Sequence, residues 1–197
     1  MKLLFIPMII ALFVAPTRVV YSTEEAMWLD RRQYAISVPG VSVMSDPKND
    51  WLYSSGGSSP IGPTYIDITR AEIHQSGIMR RYLELTIKVV GKIPATPSSS
   101  HVWFAFFLDT DKNPSTGIVG PDLNDLGVDV GIEIHYLPDQ GWFAWVGSFT
   151  GEFPLTVLTP DQFSVSSTHV DWKIPIGYFN SFNWVAVAKD YGSEEPW

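Results

Sequence analysis

Between Tyr82 and Val90 the chain alternates, with Leu83, Leu85, Ile87 and Val89 on one side and Glu84, Thr86 and Lys88 on the other. A period of two is that of a β-strand with one face in a core and one in water. Residues 65 to 73 also alternate, and beyond the turn at Gly77 they are expected to pair antiparallel with that strand. The run HVWFAFFLD at 101 to 109 is apolar on both faces, which predicts a central strand of a two-layer fold. In 128 to 137, Ile132, Ile134 and Tyr136 alternate with Glu133 and His135, and the turn at 138 to 141 returns the chain through 142 to 146 as a hairpin.

Shorter strands are expected near 34–38, 155–158, 163–166, 169–174 and 184–188. Residues 24 to 32 are compatible with the start of a short helix, ended by the extended stretch before Pro39 and Gly40. Turn formers fill 44 to 63, yet Trp51 and Tyr53 predict an ordered loop there. Eight to ten short strands without a long helix predict one all-β domain, a two-sheet antiparallel β-sandwich of immunoglobulin-like or jelly-roll-like kind. A barrel is the alternative.

Composition narrows the function classes. The 197 residues are 45% hydrophobic and 17% charged, enough for one sizeable core and unlike a disordered chain. A net charge of -8, with the basic residues scattered, disfavours nucleic-acid binding. Lys2 followed by an apolar run from Leu3 to Ala15 reads as an export signal, too short to span a bilayer. Cleavage after Ser22 leaves residues 23 to 197 as the domain, with no stable membrane insertion expected, in a secreted or cell-surface setting. The chain has no cysteine, so an exported fold must rely on its core and on any bound cation.

The strongest local motif is Asp109-Thr-Asp111-Lys-Asn113, entered directly from the apolar strand. Alternate oxygen side chains in a curling loop suit a hard cation that takes six to eight oxygens, and calcium is favoured over magnesium. Pro114 and Gly120 stand where a helix-flanked calcium loop requires glycine and glutamate, so the remaining ligands must come from elsewhere. Asp129, at the mouth of the next strand, is the expected fourth, with Asp122, Asp125 and Glu133 as further candidates. Six acidic residues between Asp109 and Glu133 face one basic residue, Lys112, and a divalent cation would relieve their repulsion. The bland alternative is a solvated turn in which the aspartates accept backbone hydrogen bonds. Zinc is disfavoured by the absence of cysteine and the separated histidines.

The block WFAFFLDTDKNPSTG, followed by GVDVGIEIHY and preceded by YIDITRAEI, resembles the carbohydrate-binding-module family 9-like and DOMON-like β-sandwiches of extracellular proteins. The resemblance covers most of residues 40 to 190. It implies a structural calcium held by Asp109, Asp111, Asn113 and Asp129, and a domain that binds sugar or haem or serves as an accessory unit.

Sugar binding needs aromatic rings on the surface, and Trp51, Tyr53, Trp142, Phe143 and Trp145 are the candidates. Trp142 and Trp145 fall on opposite faces of their strand, so one of them should point inward, whereas Trp103, Trp172 and Trp184 are expected in core or interface. Haem would need His101, His135, His169, Met44 or Met79 to face one cavity, and ordinary strand or loop positions explain them equally well. A hydrolase would need paired carboxylates or a nucleophile with its base; Glu84, Glu133 and Asp171 are on strands, and no recognised catalytic motif is present. The sequence therefore favours an exported, calcium-stabilised, noncatalytic module for polysaccharide. An extracellular protein-interaction domain is the first alternative and a hydrolase the second.

Overall fold

The computed structural model describes residues 28–36, 41–45, 52–53, 63–76, 82–119, 123, 126–151, 155–175 and 182–191. Among the described residues, twelve strands form two antiparallel sheets. The larger runs β3 (Leu52–Tyr53), β1 (Trp28–Ile36), β12 (Phe182–Asp190), β6 (Val102–Asp109), β7 (Val130–Leu137), β8 (Gly141–Ser148) and β9 (Thr156–Val157). The smaller runs β10 (Phe163–Val165), β11 (His169–Ile174), β5 (Tyr82–Val89), β4 (Ile68–Ser76) and β2 (Val41–Ser45). They pack as an open sandwich in one all-β domain, not a closed barrel.

The alternation of β5 sets the inner face of the smaller sheet. Leu83, Leu85, Ile87 and Val89 are buried, and β4 pairs with β5 from Ile68↔Val89 to Ser76↔Tyr82 across a register shift near Ile68. From the larger sheet, Phe104, Phe106, Leu108, Ile132 and Ile134 face them. Trp172 and Trp184 lie between the sheets, each packed on the Phe106 ring at 5.5 Å between centroids. β6 is fourth of the seven strands, the central position its two-faced apolar run predicts. The hairpin of β7 and β8 also forms as expected, from Val130↔Ser148 to Leu137↔Gly141.

One expectation is overturned at the N-terminal side. Residues from Trp28 are strand, not helix: β1 pairs with β12 over nine positions, Trp28↔Asp190 to Ile36↔Phe182, and with β3 on its other edge. Ladder hydrogen bonds to a strand already fixed in the core outweigh a weak local helix preference. The expected 44–63 loop likewise contributes the end of β2 and the short β3.

The outer faces of the two sheets differ. On the smaller sheet it is a solvated lattice of charges, with Lys88 Nζ 3.3 Å from Glu72 and Lys173 Nζ 3.0 Å from Glu84. On the larger sheet it is a second apolar cluster of Ala105, Phe107, Leu126, Val128, Val185 and Val187, with Trp103, Leu123 and Phe149 against it. Leu123 and the stretch from Leu126 to Val128 form a covering segment that, with the Phe149 ring, lies over this face, so β6 and β12 are buried on both sides.

Candidate functional site

Asp109 closes β6 and Asp129 precedes β7 one step beyond the Leu108↔Val130 pair, so the antiparallel ladder sets the two carboxylates side by side. Asp111 curls back from the loop. Ligand oxygens of Asp109, Asp111 and Asp129 lie within 4.8 Å of one another. Asp109 and Asp129 are each 1% exposed, while Asp111 reaches solvent.

The loop is shaped by hydrogen bonds to these carboxylates. Asp129 Oδ2 accepts from the Thr110 amide at 2.7 Å, the Thr110 hydroxyl at 2.8 Å and the Asp111 amide at 3.3 Å. The Asn113 amide donates to Asp109 Oδ1 and Asp111 Oδ1, Thr116 Oγ1 donates to Asp111, and Asn183 Nδ2 donates to Asp109 Oδ2. Asp129 Oδ1 is buried and has no hydrogen-bond partner. Such an orphaned carboxylate oxygen is costly unless a cation completes it, so the observation itself points to a ligand. Burial pushes the Asp109 carboxyl above its ordinary range, against the pull of its Asn183 and backbone donors. The geometry thus supplies three hard oxygens for a divalent cation.

Of the other expected ligands, Asn113 turns its Oδ1 onto the Ser115 amide at 3.1 Å. Asp122 and Asp125 lie outside the described residues. Glu133 points away from the trio, to the outer face of the larger sheet, where its Oε2 is 2.9 Å from His135 Nε2.

That outer face carries a cavity of about 350 Å³. Cross-strand register builds its floor in rows, one being Lys189, Trp103, His135 and Phe143, and the next Val187, Ala105, Glu133 and Trp145. His101, Tyr191, Phe107 and Phe149 complete the wall, with Ile118 and, from the covering segment, Leu123. The rings stand nearly parallel: His135 is within 18° of the planes of His101, Trp103, Phe143 and Trp145, and His101 within 6° of Tyr191. Lys189 Nζ lies 5.3 Å over the Trp103 ring. Glu133 and Lys189 are each only 5% exposed, an uncommon place for charges on an outer sheet face.

The hydrogen bonds here are unevenly matched. His101 Nε2 is 2.9 Å from His135 Nδ1, and His135 Nε2 is 2.9 Å from both Glu133 Oε2 and Trp145 Nε1. An indole nitrogen only donates, so His135 Nε2 can accept from Trp145 or donate to Glu133, but not both. If His101 donates to His135 and His135 to Glu133, the Trp145 N–H is left over.

Burial, with the His135 ring and the Lys189 charge nearby, holds His101 down to about 4. An unfolded chain therefore takes up a proton that the folded one refuses between about pH 6.5 and 4. This contribution to stability is present above that window and lost as pH falls through it. The expected cost is on the order of 2 kcal/mol after allowance for partial exposure. Comparing the melting temperatures of wild type and His101→Phe from pH 7 to 4.5 checks it: the variant should have the flatter profile.

The sequence-predicted ligand residues separate. Trp145 lines the cavity, whereas Trp142 turns inward to pack on Phe104 and Tyr136, its Nε1 donating to Ala95 O at 3.0 Å. Trp51 lies outside the described residues, and Tyr53 is placed in β3 by its backbone. Of the histidines and methionines considered for haem, Met44 is in the main core, His169 is on the smaller sheet beside Asp171, and Met79 lies outside the described residues. His101 and His135, weighed in the sequence only as haem ligands, line the cavity, and Trp103, Lys189, Tyr191 and Phe149 were not expected at a site. The available signal was the two-faced apolar run of β6, which requires something to cover its second face. A cleft of about 370 Å³ beside β10 is lined by groups that already pair, Thr86 with Asp171 and Lys173 with Glu84.

No family model matches the chain, and no curated protein or solved structure matches it significantly.

Proposed function

We propose that the chain is an exported, calcium-stabilised, noncatalytic binding module that holds a sugar ring in the outer-face cavity of its larger sheet. The observation that carries the reading is that cavity: about 350 Å³, walled by aromatic rings, with a few placed polar groups on a face that would otherwise meet water. Trp103 and Trp145 supply apolar ring surface for the C–H face of a pyranose, and Glu133, His135 and Lys189 supply hydrogen bonding. The size suits one or two rings, so a polysaccharide would be held by a short segment. The Asp109–Asp111–Asp129 trio is where calcium would sit, joining the end of β6 to the start of β7. Kinship with the family 9-like and DOMON-like sandwiches belongs to the same proposal, supported by the sandwich fold and the placement of the three aspartates.

A glycan-binding screen with calcium and with chelator tests it. The expected result is a sugar hit that Trp145→Ala abolishes and Trp142→Phe retains, because only the former side chain lines the cavity. A hit that survives Trp145→Ala would overturn the site assignment. Leu155, just before the short edge strand β9, and Val157, within it, are 47% and 69% exposed and favour a protein partner as the second reading, which an empty glycan screen would support.

A further inference from the structure

We propose that the outer-face cavity selects a ring compound bearing an ammonium group, which under the sugar reading is an amino sugar. The inference rests on the cavity being the ligand site and is carried by one buried carboxylate, that of Glu133, which lacks its full complement of donors.

Glu133 is 5% exposed and lines the cavity. Its Oε2 is 2.9 Å from His135 Nε2, and its Oε1 accepts no hydrogen bond from the described residues. A carboxylate taken out of water requires several donors or a cation, and one shared imidazole nitrogen falls short of that. Even this contact is contested, because the Trp145 indole can only donate and its acceptor is the same His135 Nε2. An ammonium on Glu133 removes the conflict: His135 Nε2 becomes the acceptor of the Trp145 N–H, and His135 Nδ1 donates to His101 Nε2.

The direction of Oε1 decides what kind of cation fits. A Cβ built on Gly131 would lie 2.9 Å from the Phe149 ring and 3.1 Å from Glu133 Oε1, so the ring and the oxygen converge over bare backbone. Phe107 stands opposite Gly131 in the ladder, and Trp145 opposite Glu133. A carboxylate bordered by aromatic rings suits an organic ammonium, which is attracted by the negative ring faces as well as by the anion.

The other polar groups of the wall lie on the opposite side of Glu133. Lys189 Nζ is 5.3 Å over the Trp103 ring and 6.0 Å from the centre of the Tyr191 ring, Tyr191 stacks on His101, and His101 is bonded to His135. Lys189 and Tyr191 each have a further contact of their own. Glu133 pairs with His135 and not with the lysine, from which two strands and one row of the sheet separate it. Oε1 is turned toward the Gly131 row, away from the lysine, so an ammonium held there does not share the space of Lys189. The net charge of -8 favours the approach of a cation.

Titration calorimetry of the calcium-loaded chain, in which the aspartate trio is filled, tests the inference with glucosamine, glucose and cyclohexylamine slightly below neutral pH, where both amines are protonated. Glucosamine is expected to bind at least about tenfold more tightly than glucose. Glu133→Gln, which keeps the shape of the side chain and removes its charge, should erase that preference, with circular dichroism confirming the fold. The comparison of ligands on the wild-type chain stands by itself if this variant does not fold. Equal binding of glucose and glucosamine overturns the ammonium inference and leaves the sugar reading standing. A preference that persists in folded Glu133→Gln overturns the role of Glu133. Binding of cyclohexylamine with neither sugar upholds the ammonium and overturns the sugar. Failure of all three to bind overturns both.

Discussion

Calcium at about a hundredfold excess over its Kd is expected to raise the melting temperature of the wild-type protein by about 5–10 °C, and Asp129→Asn to remove the rise. The size follows from linkage: that excess is worth about 2.7 kcal/mol, and each kcal/mol moves a domain of this length by about 2–4 °C. The physical basis is the state of the three carboxylates. Asp109 and Asp129 are buried beside each other, Asp109 resists ionisation, and Asp129 Oδ1 is without a donor. A cation turns mutual repulsion into shared attraction and completes the orphaned oxygen. Asparagine at 129 keeps an acceptor for Thr110 and loses the charge, so the chelated variant should melt close to chelated wild type. Magnesium should act more weakly, since it demands near-ideal octahedral geometry and retains its waters. Identical melting curves in calcium and in chelator, measured by calorimetry, would count decisively against a cation site.

The trio was legible because it is local. Asp109, Asp111 and the strand that carries them are contiguous, and antiparallel return of the next strand brings Asp129 alongside. The sandwich was legible for a similar reason, since β5, β7 and β8 show their period in sequence. The cavity was not legible, because its residues come from four strands and the covering segment, and only register places Lys189 beside Trp103 and His135. Alternation in β7 names Glu133 and His135 as outward, which in most sandwiches means solvent. Here outward leads to a second apolar layer. The first part of β1, from Trp28 to Gln33, escaped for the complementary reason: its strand character resides in its pairing with β12 and not in a period of its own, whereas the strand expected from Tyr34 is present.

The covering segment ties the cation loop to the cavity, and Gly117→Ala should disturb both. Gly117 has φ +68°, and a Cβ there would lie 2.1 Å from the Val128 carbonyl oxygen and 3.0 Å from Asp129 Oδ1. The backbone cannot yield easily, because Ile118 and Val128 exchange two 2.8 Å hydrogen bonds at that point. Gly141 provides the control: its φ is +72°, yet nothing lies within 4 Å of its would-be Cβ. Gly141→Ala therefore carries only the left-handed backbone penalty, about 1 kcal/mol. Gly117→Ala carries that penalty and the clash, so a loss of about 2–4 kcal/mol is expected. Because the clash displaces Val128 and Asp129 while Ile118 lines the cavity wall, calcium stabilisation and ligand affinity should both fall in this variant and remain in Gly141→Ala. Denaturant unfolding with and without calcium reads the comparison. Equal losses in the two variants would show that the covering segment gives way freely, and that the cation loop and the cavity are not mechanically joined.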